Sequence, residues 1–485
     1  MSRCIVAGIV HDVDPNEFNG AFTFGGGEAP ALDANGAPTG QTTIISGLEQ
    51  YRRALLNLPG GTPTSFQIAT GTALVPLTQW QVALYAEDTL KVNSRLTLSG
   101  GLRYALQTAP ASFANFAPRT GIAWALDKHG KTVLHLHAGL FSSLVPLAVA
   151  TEEYRLNGER QKEALIYFPS FAAPLVPTGQ SVDVATIRSL PHMLAQAPSF
   201  QIGVGVEHDF PHHWHALANA YYGEGWSSIR SRNINAPLVS SSTNEPPNLA
   251  SALSAPRPIA PNENIFQYEA TGHLSGDVVF LGLDQHSYKR FSFFLGYLNF
   301  NFTTDTPNQG FAQSAYSNKG EAGPPDWQTR NRVFFVGNYN LPKGAGLSAQ
   351  FDAASGLPYN LTTGTDDNGD GVFNDRPSYG MAPGPGVFLT RFGLLSTNTI
   401  NGNVPRNLGT MPATMHLDMN LSRAWKIGRH QPDSPYTVTL NVRSANLLNH
   451  TNPTAVGSIV SSPAFSQTVA AEPPRRVELG IRFAF

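Results

Sequence analysis

The sequence predicts an all-β fold, an antiparallel transmembrane β-barrel of the outer-membrane kind, with about 14 strands present and long loops on one rim. Three observations lead there. Segments of about ten residues alternate between apolar and polar side chains, the period of a strand whose two faces meet different solvents. The connections between these segments are alternately short and long. The composition, with 45 Gly, 37 Pro, 28 Phe and 15 Tyr but only 14% charged residues, suits many short strands punctuated by turns.

Taken in order, strands are expected at residues 3–11, 78–92, 95–108, 118–127, 132–141, 199–210, 214–223, 275–284, 290–302, 326–340, 347–355, 413–427, 436–448 and 475–485. In the second and third, Trp80, Val82 and Leu84 and then Leu96, Leu98, Leu102, Tyr104 and Leu106 form an oily face, while Gln79, Gln81 and Glu87 and then Thr97, Ser99, Arg103 and Gln107 form a wet one. The same pattern sets Phe200, Ile202, Val204 and Val206 against Gln201 and Glu207, and Tyr436, Val438, Leu440 and Val442 against Thr437, Thr439, Asn441 and Arg443. Short connections fall at 92–95, 128–131, 211–213, 285–289, 342–346 and 427–435. Long ones fall at 109–117, 142–198, 224–272, 304–325, 358–411 and 449–474. Short turns on one rim and long loops on the other are the layout of outer-membrane barrels, whose short turns are periplasmic. An even strand count returns the chain to that rim. One helix is expected in an outer loop: Ser46 caps residues 47–58, with Leu48, Tyr51, Leu55 and Leu58 on one face.

Composition also excludes. The chain has no run of 18 apolar residues and a mean hydropathy of −0.16, which rules out a spanning helix and leaves a barrel open. A net charge of −2 gives no basic footprint for nucleic acid. Cys4 is the single cysteine, so no disulfide framework exists. The opening MSRCIVAGIVHDVD runs from one Arg through seven apolar residues straight into acidic ones without a small-residue cleavage site, a poor export signal. The expectation is an internal methionine or a truncated gene model, with residues 1–485 forming a partial barrel.

The chain's end carries the sharpest local pattern. In RRVELGIRFAF, Val477, Leu479, Ile481, Phe483 and the terminal Phe485 are apolar at every second position. This resembles the final-strand signal read by the outer-membrane barrel assembly machinery; the alternative is the last strand of a soluble sandwich. Further stretches are FNGAFTFGGG (18–27), ALYAEDTLKVNSRLTLSGGLRY (83–104), NFAPRTGIAWAL (115–126), RSRNINAP (230–237), DDNGDGVFNDRP (366–377) and NVRSANLLNHTNP (441–453). Together they resemble the TonB-dependent receptors called Oar-like, which place a carboxypeptidase-regulatory-like domain and a plug ahead of the barrel. The resemblance implies a wall of about 22 strands, with the signal, the regulatory-like domain, the plug, the TonB box and the first strands lying upstream. It also implies an outer-membrane location, lipid around the wall, and TonB engaged only through the plug.

Two groups of side chains suggest ions. Asp366, Asn368, Asp370, Asn374 and Asp375 put oxygens where calcium loops have them, with Gly371 at the sixth position and Pro377 where a bidentate Glu would sit. Calcium and plain consecutive turns both explain them. His208, His212, His213 and His215, with His135 and His137, permit metal or simple hydrogen bonding, the latter expected on a wet face and a turn. No GxSxG, HExxH, GxGxxG or P-loop pattern is present, so no enzyme is expected. Trp80, Tyr104, Trp124, Trp214 and Tyr436 fit interfacial aromatic girdles. The function expected is uptake of a bulky substrate through the receptor barrel, with an unknown extracellular ligand held by the long loops and by wet-face residues such as Gln81, Arg103 and Arg443. The alternative is a surface barrel that adheres to cells or polymers without transport.

Overall fold

The computed structural model describes residues 2–13, 18–191, 193–194, 197–239, 249–288, 290–307, 310–427 and 436–484. Fourteen long strands form the wall: β1 (Ser2–Val13), β2 (Leu74–Lys91), β3 (Leu96–Thr108), β4 (Ala111–Ala125), β5 (Thr132–Ser143), β6 (Ala197–Phe210), β7 (Trp214–Asn233), β8 (Glu263–Tyr288), β9 (Phe291–Thr304), β10 (Asn331–Leu341), β11 (Ala345–Ala354), β12 (Thr414–Ile427), β13 (Tyr436–Ala445) and β14 (Arg476–Ala484). Each pairs antiparallel with the next in sequence. Among the described residues no pairing joins β1 to β14, so the wall is an open sheet with two free edges.

Alternation sets the register, because a one-residue slip would turn every side chain to the wrong solvent. Ile202, Val204 and Val206 of β6 lie exposed on one face, and Val204 sits opposite Leu136 and Ala220. Glu207 and Asp209 lie on the other face, in the same rows as His135 and His215. On β14, Val477, Leu479, Ile481 and Phe483 are all more than 60% exposed, as apolar residues are where the surrounding solvent is lipid. Phe485 lies outside the described residues. Trp80, Trp124 and Tyr436 are exposed, and Tyr104 and Trp214 half-buried. Trp124 pairs with Leu96, eight residues along β3 from Tyr104, a separation of roughly 26 Å that suits a girdle at each edge of an apolar band.

Three expectations need correction. Residues 109–117 form no long loop: β3 and β4 run on to pair Thr108 with Ala111, leaving a two-residue turn. Likewise β7 and β8 continue through much of 224–272, and at 26 residues β8 is far longer than the roughly 10 needed to span a bilayer. Its surplus pairs with β7 and projects beyond the wall. The wet face is also not polar throughout, for Phe280, Phe294 and Phe334 stack there with centroids 5.7–6.3 Å apart.

Helix α1 (Gly47–Leu55) starts at Ser46, whose Oγ accepts from the Glu49 amide at 3.2 Å. Its apolar stripe is reversed from the usual sense: Leu48, Tyr51 and Leu55 are exposed while Gln50 and Arg53 are buried. The cause is polar anchoring. Gln50 takes the Gly26 amide and donates to the Thr62 carbonyl, and Arg53 donates to the Pro30 and Pro59 carbonyls.

The long loops build a second body over one rim. Residues Ser65–Gly71, Gln161–Tyr167 and Val182–Ser189 pair edge to edge, and the last runs parallel to the start of β8. The buried apolar clusters lie in these loops: Leu361, Leu395, Val404 and Val460; Val145, Val149 and Leu194; Leu165, Tyr167 and Val184.

Candidate functional site

The loop between β11 and β12 occupies the middle of this cap. Its string of Asp, Asn and Gly coils because side-chain carboxylates accept amides a few residues ahead, and Gly369 and Gly371 take the positive φ the turns need. Asp366 Oδ1 accepts from the Asp370 amide at 3.1 Å and Oδ2 from Gly371 at 2.8 Å. Asp375 Oδ2 accepts from the Asp367 amide at 2.7 Å, and Asp370 Oδ1 from Val372 at 3.0 Å. Asp366, Asn368, Asp370 and Asp375 are buried and Asn374 half-buried.

Neighbouring loops close over the string. The Tyr167 hydroxyl, wholly buried, donates to Asp366. Asn368 donates to the Gln313 carbonyl at 2.7 Å, and Asn374 to the Phe311 and Ala312 carbonyls at 3.1 Å. Arg376 donates to Glu321 at 2.8 Å with both side chains almost fully buried. Arg406 donates to the carbonyls of Glu321, Thr304 and Gly323.

Burial strips water from these carboxylates and pushes Asp366 up to about 6, with nearby Asp367 adding to the rise. Burial and Asp366 together lift Asp370 well above the ordinary range, and burial with Asp367, Asp366 and Asp370 does the same for Asp375. Burial and crowding thus bias these carboxyl groups toward their neutral form. Among the described residues, no three His, Cys, Asp or Glu side chains are arranged to hold a metal ion.

Three of the six histidines are hydrogen-bonded on the wall. His135 meets Glu207 at 3.1 Å, His215 meets Asp209 at 2.8 Å and His208 meets Thr132 at 2.8 Å. His212 and His213 form the β6–β7 turn, away from the cap. Gln81 reaches Gln79 on the wet face of β2, and Arg103 and Arg443 lie on wall strands in positions paired with Tyr85 and Glu478. Sequence reasoning missed Tyr167, Arg257, Gln313, Glu321 and Arg406. Only Arg376, inside the NDRP string, had a local signal.

A recess of about 400 Å³ opens beside the acidic loop, walled by residues of the β7–β8 connection (236–239), the β9–β10 loop (314–316) and the β11–β12 loop (368, 370, 400 and 401). Three loops from distant parts of the chain therefore converge on one cavity of a size suited to small organic groups.

A family model described as an outer membrane beta barrel domain matches residues 9–113 and 107–478. No curated protein matches the chain. Among solved structures, the outer membrane transporter YddB from Escherichia coli is similar at a TM-score of 0.52 and 12% identity, over 87% of this chain and 46% of that one. The siderophore receptor PirA from Acinetobacter baumannii gives 0.49 at 14% identity, over 84% and 46%. A mutant of the ferric enterobactin receptor PfeA from Pseudomonas aeruginosa gives 0.48 at 13%, over 84% and 45%. The chain spans a little under half the length of each, and the likeness to YddB is one of fold.

Proposed function

The chain belongs to the family of outer membrane beta barrel domains, and from that premise we propose that it is the barrel part of a TonB-dependent receptor of the Oar-like type, taking up a bulky scarce substrate. Its place is the outer membrane. The observation that carries the reading is the cap: a polar, prebuilt body of loops seated on one rim of the wall, with buried ion pairs fixing its parts. Such a body is organised to hold a ligand, since preorganised groups lose little entropy on binding. A plug, where a complete receptor supplies one, would block the interior until TonB draws on it. The exposed apolar row of β14, from Val477 to Phe483, supports a reading as the assembly machinery's signal.

Radiolabelled ferric siderophores and oligosaccharides, offered to cells expressing the complete receptor with and without TonB, test uptake. Accumulation that requires TonB supports it. Binding without accumulation in either strain favours adhesion, a second reading supported by the outward apolar residues Leu48, Met381 and Leu389, each more than 75% exposed. Calcium at residues 366–375 is a competing reading of the acidic loop, supported by its oxygen spacing. It requires those side chains to leave their present partners, and a calcium titration decides it.

A further inference from the structure

We propose that a recess at the end of α1 is a subsite for a sugar acid, a carboxylate carried on a hydroxylated ring, with Arg53 as its charged partner. The inference rests on reading the cap as a ligand-holding body and deepens it by naming the ligand's chemistry.

The recess is about 340 Å³ and forms where the turn after α1 meets residues 168–171 and 178–180 of the β5–β6 loop. Arg53 is the one charged residue among those lining it and is 5% exposed. Its Nε donates to Glu49 at 2.9 Å, and its Nη1 donates to the Pro30 and Pro59 carbonyls at 2.7 and 3.2 Å. Nη2 makes no hydrogen bond among the described residues, which leaves two N–H donors on a side chain already held in place. Glu49 does not cancel the charge, because Arg52 donates to the same carboxylate at 2.7 and 2.9 Å. Two guanidiniums sharing one carboxylate leave a positive charge in surplus, so an anion is drawn to this place and a cation repelled. A carboxylate is the organic anion whose oxygens match guanidinium donors.

The other walls specify what carries the carboxylate. Phe168 and Phe171 are half-buried rings that suit the C–H face of a sugar. Asn57, Ser170 and Gln180 also line the recess, and their side chains have no hydrogen-bond partner among the described residues, so hydroxyl groups of a ligand can take them. A bare inorganic anion would use none of these groups, and the volume has room for a ring. The backbone adds an independent sign. Phe168 has a φ of 50°, a left-handed conformation that is unfavourable for so bulky a residue, and its amide is held by the Thr64 carbonyl at 3.1 Å. Strain of this kind persists where the surroundings enforce it, and it gathers at ligand sites.

The test uses D-galacturonate as probe on the complete protein in detergent, with D-galactose and D-galactosamine as neutral and cationic counterparts of the same shape. Calorimetry should show saturable binding of galacturonate alone. Arg53→Lys, which keeps the charge but loses the free Nη2 donors, should weaken it by more than about tenfold. Gln180→Trp, which fills the recess and leaves Arg53 intact, should do the same. Should Arg53→Lys open the cap to protease, Gln180→Trp carries the test. Trigalacturonate separates the two sources of such a group: tighter binding than the single sugar assigns a chain end, weaker binding the free acid, and both support the subsite. Galactose binding as well as galacturonate, or galacturonate affinity unchanged in the folded variants, overturns the proposal. Binding is read without transport, so a receptor that binds galacturonate but accumulates no substrate refutes the uptake reading alone.

Discussion

The wall and the cap are made from one chain under opposite rules. In the wall, Val204, Leu281 and Leu295 are each at least 40% exposed, because hydrocarbon takes the place of a core. In the cap, Arg376, Arg406, Glu321 and Asp366 are at most 2% exposed, because loops lying over one another must satisfy charge and backbone internally. The wall is specified by each residue's relation to its immediate neighbours, and the cap by pairs far apart in sequence. Arg376 and Glu321 are separated by 55 residues, Tyr167 and Asp366 by 199. A strand can therefore be altered piecemeal, whereas a change at one cap pair should disturb several loops at once.

The largest test of that contrast is Arg376→Ala. It leaves Glu321 as a buried charge without its partner, a loss on the order of 3–5 kcal/mol. Protease should then cut the loops containing residues 305–330 and 355–413 while the strand signal of the wall is unchanged. Protection equal to the native protein would show that the cap does not depend on its ion pair. Next in size is Val204→Arg on the oily face of β6, expected to cost about 2–4 kcal/mol in vesicle-based denaturant titration if the residue lies near the bilayer midplane. Asn219→Arg on the wet face of neighbouring β7 should cost well under half as much. Equal losses at the two sites would break the assignment of faces.

The same contrast explains what could be read from sequence. All fourteen wall strands were legible, because period-two alternation is local and lipid enforces it. The misplacements have physical causes. At 109–117 and 224–272, stretches broken by Pro, Ser and Asn look like loops, yet parts of them pair as strand because the preceding strand carries on past the membrane. In FSFFLGYLNF, aromatic residues occupy both faces, so alternation there assigns no side. For α1 the apolar stripe was found but not its direction, since the carbonyls of Pro30 and Thr62 that Arg53 and Gln50 reach lie in neighbouring segments whose approach no local pattern reveals. The acidic loop stood out by spacing, but Tyr167, Gln313 and Glu321, which close over it, carry no motif.

Protons give a smaller test, confined to the cap. Burial lifts Asp366 from 3.8 to about 6 and also raises Asp370 and Asp375 well above the carboxylate range. A carboxyl whose folded pKa lies above its unfolded value stabilises the fold when protonated. That contribution is full below pH 3.8 and is lost as pH rises through about 6. Amide exchange across residues 361–376 should therefore be slower at pH 5 than at pH 8, after correction for intrinsic rates, by a stability difference on the order of 1 kcal/mol or more. Asp370→Asn should flatten the dependence. A cap that loosens as pH falls would show that the carboxylates are held by a bound cation instead of crowding one another.

The smallest effect is expected at Ser46→Ala, where it separates local from distant control inside the cap. The Ser46 hydroxyl satisfies one of the free amides at the start of α1, and its loss typically costs about 1 kcal/mol. A nine-residue helix is too short to persist alone, so that loss should quicken exchange at residues 47–55 by about fivefold only if the Ser46 hydroxyl governs the helix. Gln50 and Arg53 oppose this by tying the helix to residues 26, 30, 59 and 62. Exchange unchanged in Ser46→Ala but faster in Gln50→Ala would place control with those distant ties, and α1 would then obey the rule of the cap down to a single turn.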